Sequence, residues 1–217
     1  MRSADDLAEK LAGRFLVIDG PDGAGKSTQV ALLAAWLGER GVDVLTTRDP
    51  GGTAIGDRIR AILLDPACRE MTAACETMLY MASRTQLYGE VIAPALARRQ
   101  CVLCDRWVSS TVAYQAAGGM APARIRQAYE AALGSAGPDL TLLLDLPAEE
   151  GLARLGRDGP HDRIEAKGPI YHRRVREGFL AQARAAPDRW VVLDAAGSPE
   201  DVQQRLREAV AAVAGRP

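Results

Sequence analysis

Five short runs rich in branched and apolar residues recur along the chain, at 15–19, 42–47, 101–105, 140–145 and 190–194. Several are almost unbroken in apolar side chains, the pattern expected of strands covered on both faces in a parallel sheet. Between them the spacing turns helical. Residues 26–40 set Leu32, Leu33, Trp36 and Leu37 on one face, and 56–64 repeats the pattern over a shorter length. Residues 70–98 form a long helical stretch with Met78, Leu79, Met81 and Ala82 near its middle, and Pro94 predicts a kink or restart late in it. Further helices are expected at 121–133, 148–157, 170–185 and 199–214. The last opens on Ser198-Pro199-Glu200-Asp201, which offers an N-cap, a proline at the first helical position and acids in the first turn.

Strands alternating with helices predict an α/β fold built on a five-stranded, mostly parallel sheet flanked by helices. No Pro-, Gly- or Ser-rich linker and no internal repeat divides the chain, so one domain over 1–217 is expected. In such sheets ligands bind beyond the carboxyl ends of the strands. The residues that follow each strand are therefore where chemistry is sought.

The first strand runs straight into Gly20-Pro21-Asp22-Gly23-Ala24-Gly25-Lys26-Ser27, with Thr28 next, and this fits G-x-x-x-x-G-K-[ST]. The context is the required one, an apolar strand before and an amphipathic helix after. Glycines let successive N–H groups turn inward onto phosphate oxygens, and the helix dipole adds positive potential there. The Lys26 ammonium can reach β- and γ-phosphates, and the Ser27 hydroxyl can ligate Mg²⁺. Only three lysines exist in the chain, and one fills this slot. ATP and Mg²⁺ are the expected cofactors, and the fold is expected to be of the P-loop NTPase type.

Composition narrows the partners. Of 217 residues 47% are hydrophobic and 25% charged, an ordinary globular balance, and 27 basic against 28 acidic residues leave a net charge of -1. Nucleic-acid binders advertise a basic excess, and none is present. No stretch approaches the roughly 18 apolar residues of a membrane helix. Asp5, Asp6, Glu9 and Lys10 interrupt any signal-peptide core, so a cytoplasmic location is expected. Cys101 and Cys104 form a C-x-x-C, but on a strand residues three apart face opposite ways, so these and the other two cysteines, Cys68 and Cys75, read as structural thiols.

A guanine-reading switch normally carries Asn-Lys-x-Asp, and the chain has no asparagine. Attention passes to an acceptor site. Arg48-Asp49-Pro50-Gly51-Gly52-Thr53 follows the second strand, and Asp105-Arg106-Trp107, continuing through Ser110, Thr111, Ala113, Tyr114 and Gln115, follows the third. Asp162-Arg163-Ile164-Glu165 lies beyond the fourth. In this order, behind the phosphate loop, these segments resemble the thymidylate kinase family over 15–211, and specifically its bacterial type. The resemblance implies transfer of phosphate from Mg-ATP to thymidine monophosphate, giving dTDP and ADP for dTTP synthesis, in a homodimer. It also implies roles for single residues. Arg106 contacts the acceptor monophosphate; Arg48 and Asp49 stand at the acceptor, with Asp49 sharing the metal with Ser27; Tyr80 stacks on thymine and Arg84 bonds a base carbonyl. Thr111 meets the pyrimidine edge, Tyr114 crowds the sugar 2′ position, and Asp22 lies near the acceptor.

Some family members place a catalytic arginine inside the phosphate loop, where this chain has Gly23. The resemblance then implies that a lid at about 154–166 supplies it, with Arg157 the first choice ahead of Arg154 and Arg163. Acceptor phosphate is already anionic near neutral pH, its second pKa being about 6, so no general base is needed. His161 therefore receives no role, and His172 reads as a surface residue. Trp107, Asp49 and Asp19 depart from the family's usual residues, as does Ala116-Ala117-Gly118-Gly119. Two alternatives stay open: a kinase for another nucleoside monophosphate, and a nucleotide-binding regulatory module that does not catalyse.

Overall fold

The computed structural model describes residues 4–156 and 162–214. Among these, β1 (Phe15–Asp19), β2 (Val44–Arg48), β3 (Cys101–Asp105), β4 (Leu140–Asp145) and β5 (Trp190–Asp194) form a parallel sheet of order β2-β3-β1-β4-β5. The three inner strands are buried almost throughout, whereas the edge strands β2 and β5 are partly exposed. Four of the five expected strands keep their bounds. β2 starts two residues late, because the Val42 N–H closes the preceding helix onto the Leu37 carbonyl and leaves the ladder to begin at Val44.

Side chains alternate along β1 and so divide the core. Leu16 and Ile18 face a cluster with Leu33 and Leu37 of α2 (Lys26–Gly38) and Val202 and Leu206 of α10 (Pro199–Ala214). Phe15 and Val17 face the opposite layer, with Leu87 of α4 (Ala73–Leu87) and Ala95 of α5 (Ala93–Ala97). The remaining helices are α1 (Ala4–Leu11), α3 (Ala54–Leu64), α6 (Val108–Ala117), α7 (Pro122–Leu133), α8 (Ala148–Leu155) and α9 (Pro169–Ala185).

Two further features differ from the sequence reading. The stretch expected as one helix over 70–98 begins at Ala73 and widens into a π turn at Tyr88–Ile92, just before Pro94. Proline lacks an N–H and its ring crowds the carbonyl four residues back, and a wider turn relieves both. The second is α6, which the pattern did not reveal. Every residue from Ser109 to Gln115 is buried, so the helix has no polar face and no period to detect. All four cysteines are free, and burial pushes the Cys101 thiol up to about 12, which keeps it protonated and inert.

Candidate active site

β1 and β3 are neighbours, and their register sets Ile18 beside Asp105. The phosphate loop after β1 and the Asp105-Arg106 corner after β3 must therefore share one end of the sheet. They enclose a cleft of about 440 Å³. From the phosphate loop Asp22, Gly23, Gly25, Lys26, Ser27 and Thr28 line it; Ala24 turns into the core, and Gly20 serves through its carbonyl, which accepts from Arg106. No side chain caps α2, so its first N–H groups are left for a bound anion. Gly23 has φ 76°, and a Cβ there would lie 2.2 Å from the Gly151 carbonyl oxygen. With α8 pressed this close, no arginine fits at position 23.

Arg106 itself adopts φ 70°, a left-handed conformation that costs a non-glycine residue energy. Its N–H donates to the Ile18 carbonyl at 3.0 Å, and Cys104 Sγ donates to its carbonyl at 3.1 Å, which holds the corner in place. The guanidinium donates to Gly20 O and Ser110 Oγ, both at 3.0 Å, pairs with Asp22, and lies 5.2 Å from the Tyr114 ring centre. Asp19 anchors the same corner from below, accepting from the Ser109 and Ser110 hydroxyls and the Gly20 N–H. Burial pushes the Asp22 carboxyl upward, but Arg106 and Lys26 outweigh it and hold the group below its ordinary range, so it stays ionised.

All the expected acceptor residues line this one cleft: Arg48, Asp49, Tyr80, Arg84, Arg106, Thr111 and Tyr114. Three of them are bonded to one another. Arg84 is 1% exposed; its Nε donates to Asp49 Oδ2 at 2.7 Å and its Nη2 to Thr111 Oγ1 at 2.8 Å. Trp107, one of the departures from the family pattern, is buried against Phe15 and puts its ring 5.4 Å from the Arg84 guanidinium. Tyr80 is half-buried in the wall, and the Tyr114 hydroxyl is buried beside Asp22 and Arg106. Residues that the sequence reading left without a role also enter. Gln115 lines the cleft and is buried with both amide atoms, a donor and an acceptor, unpaired. Arg60 joins Arg48 and Arg106 at the basic end, its Nη1 donating to Pro50 O at 3.1 Å. Gly56, Arg60 and Leu64 fall four apart on α3, a spacing from which Arg60 could have been inferred.

Several expectations are corrected. The Ser27 hydroxyl donates to Asp105 Oδ2 at 2.6 Å, a contact the sequence reading did not foresee, while Asp49, expected to share the metal with Ser27, is tied to Arg84 through Oδ2 and keeps Oδ1 without a partner. Asp105 Oδ1 is buried without a partner, so Ser27 and Asp105 offer hard oxygen donors and fit a magnesium ion that takes its remaining ligands from phosphates and water. Arg163 does not line the cleft: its Nε donates to Leu63 O at 3.0 Å and its Nη2 pairs with Glu76. Arg154 does reach the loop, donating to Gly23 O and Ala195 O at 3.4 and 3.3 Å. Arg157, like His161, lies outside the described residues. His172 is no surface residue; it is 2% exposed, with Nε2 3.3 Å from the Glu165 carbonyl and Nδ1 3.9 Å from Asp22 Oδ2.

Lys26 is buried, its Nζ donating to Pro21 O at 2.7 Å. Burial first, and then the Arg106 guanidinium, push its pKa down from 10.5 to about 8. Below about pH 8 the free protein therefore carries the ammonium that phosphate needs, and above it the group turns neutral. The kcat/KM for ATP, which reports the free enzyme, is expected to fall with one-proton dependence above about pH 8. Lys26→Arg, charged throughout, should lose that limb whatever its absolute rate. A profile flat to pH 9.5 in the wild type would contradict the assignment.

The sequence model of the family described as thymidylate kinase matches residues 18–206. Thymidylate kinase of Pseudomonas fluorescens is 48% identical over 197 residues, covering 90% of this chain and 94% of that protein. The Deinococcus radiodurans thymidylate kinase is 46% identical over 199 residues, covering 91% and 96%. Among solved structures, thymidylate kinase from Ehrlichia chaffeensis superimposes with a TM-score of 0.75 at 27% identity, covering 92% of this chain and 99% of that one.

Proposed function

Because the chain belongs to the thymidylate kinase family, we propose that its cleft is where it transfers the γ-phosphoryl group of ATP to thymidine monophosphate, giving dTDP and ADP. The observation that carries this reading is that Lys26 and Arg106 face one cleft, with Asp22 between them. Lys26 and the free N–H groups of α2 hold the donor phosphates. The Arg106 fork grips two oxygens of the acceptor phosphate and fixes it in line, and the ionised Asp22 keeps that fork aimed. Tyr80 stacks on the base, Arg84 and Gln115 meet its polar edge, and the Tyr114 ring crowds the sugar. The transition state carries spread negative charge. Arg154 meets it, since its two carbonyl bonds are long enough to exchange for phosphate oxygens, together with Arg157. Ser27 and Asp105 would hold magnesium, which when bound neutralises charge on the β- and γ-oxygens.

The whole chain acts as one domain, in the cytoplasm, and of the lid expected at about 154–166 it is Arg154 that stands at the donor side. Among the described residues no helix is long and apolar enough to cross a membrane. Two copies pair through the outer face of α3 and α4, where Ile55, Ile62 and Met78 stand exposed on packed neighbouring helices. Sedimentation at twice the chain mass is expected; a single-chain mass at micromolar concentration would reject the dimer.

The substrate reading is tested by ADP release over a panel of dTMP, dUMP, UMP, CMP, AMP and GMP. The highest kcat/KM is expected with dTMP. A preference for UMP or CMP would overturn the thymidylate assignment, and no ADP with any acceptor would favour a non-catalytic binding module.

A further inference from the structure

Glu76 sits on α4 one turn before Tyr80, and it is 4% exposed. A carboxylate at that depth is unfavourable unless it is paired. Its partners come from a distant segment: Arg163 Nη2 pairs with Oε1, and Lys167 Nζ lies 3.8 Å from Oε2. Arg163 is tied a second time, through Nε to the Leu63 carbonyl at 3.0 Å, and its N–H donates to the Leu64 carbonyl at 3.4 Å. The turn it belongs to is stiff in itself, because Asp162 Oδ1 accepts from the N–H groups of Ile164 and Glu165 at 2.7 and 2.9 Å. Asp162, Ile164 and Glu165 line the cleft, as do Leu64 and Tyr80, whereas Glu76 and Arg163 do not. Glu76 thus stands behind the wall, joining three pieces of chain that meet at the base-stacking side.

We propose that Glu76 is a positioning residue for the acceptor nucleotide. Its charge clamps segment 162–167 against α3 and α4, so that the turn bearing Ile164 stands at a fixed distance across from Tyr80. This rests on the reading that the cleft phosphorylates dTMP. The clamp acts on the acceptor half alone, because neither Glu76 nor its two cations touches the phosphate loop. Losing the charge loosens the wall that holds the base and leaves the donor phosphates where they were.

The experiment compares wild type with Glu76→Gln, which keeps shape and removes charge. The KM for dTMP is expected to rise about tenfold, since sub-ångström looseness in a positioning contact is amplified in this way. The KM for ATP is expected to stay within about twofold and kcat within about threefold of wild type. Glu76→Asp should give a smaller rise. A carboxylate with only a structural role would lower the melting temperature and the active fraction without separating the two KM values, and that result overturns the proposal. If Glu76→Gln does not fold, the triple change Glu76→Leu, Arg163→Met and Lys167→Met leaves no charge unpaired; the same separation is expected from it, and an unchanged KM for dTMP overturns the proposal. Wild type that turns over no dTMP rejects the functional reading. Wild type that does so, beside a variant with unchanged KM for dTMP, rejects only this inference.

Discussion

Arg106→Met is expected to lower kcat/KM for dTMP by about 10³-fold, or roughly 4 kcal/mol of transition-state stabilisation. Methionine keeps much of the side-chain volume and removes the fork that donates to Gly20 O, Ser110 Oγ and Asp22. It also leaves the Asp22 and Asp19 carboxylates facing an anionic acceptor without the cation that masks them. Repulsion then adds to the lost attraction, and the loss falls on both KM for dTMP and kcat. Arg106→Lys separates charge from geometry. A single ammonium cannot grip two oxygens in a plane, so lysine should recover less than about a tenth of the wild-type kcat/KM. Steady-state rates by coupled ADP detection read both variants. A decrease of less than tenfold for methionine would mean that the acceptor phosphate is held elsewhere.

Lys26→Met is expected to act on the other substrate. The ammonium meets charge that grows on the β- and γ-oxygens in the transition state, so kcat should fall about 10²- to 10³-fold. The KM for dTMP should stay within a few-fold of wild type. Stability should move the other way. Holding Lys26 charged in this site costs on the order of 3 kcal/mol, from the fall of its pKa from 10.5 to about 8. Methionine removes that cost, and the ligand-free variant should melt at or above the wild-type temperature at pH 7. Between about pH 8 and 10.5 the unfolded chain binds the Lys26 proton and the folded protein does not, so wild-type stability rises with pH across that window. The variant should lack this rise. Calorimetric melting at pH 7 and 9.5 measures it, and an equal rise in both proteins would show that Lys26 is not its source.

What could be read from the chain follows from where each signal lives. The inner strands announce themselves because burial on both faces demands unbroken apolar runs, and β1, β3 and β4 keep the bounds their sequences predict. The phosphate loop is legible for a related reason, since its glycines are required by backbone geometry that local sequence must encode. α6 was not legible, although it carries Ser110, Thr111, Tyr114 and Gln115. It is buried on all sides among α9, α7 and α4, and its β-branched and serine residues give it neither a helical stripe nor high intrinsic propensity. The side chains that set electrostatics were the least legible. Arg163 and Glu76 are 87 residues apart in the chain and meet only through the packing of the turn on α4. His172 lies on the face of α9 that turns inward, where a carbonyl from a preceding turn satisfies its ring, and a histidine in a charged helical sequence carries no mark of that. Arg154 and Arg163 looked equivalent as lid arginines until tertiary contacts sent one to the phosphate loop and the other to α4. Asp49 follows β2 and Asp105 ends β3, and only the register of β3 beside β1 brings Asp105 to Ser27.

The central claim is that donor and acceptor phosphates meet end to end in the cleft between Lys26 and Arg106. An adenosine and a thymidine joined 5′ to 5′ through a chain of phosphates would occupy both halves at once, and isothermal titration with it tests the claim directly. Binding at one site per chain, tighter than ATP or dTMP alone because the second half binds at high effective concentration, and displacement by either nucleotide, are the predicted results. Displacement by only one of them, with affinity no better than that half alone, would contradict it.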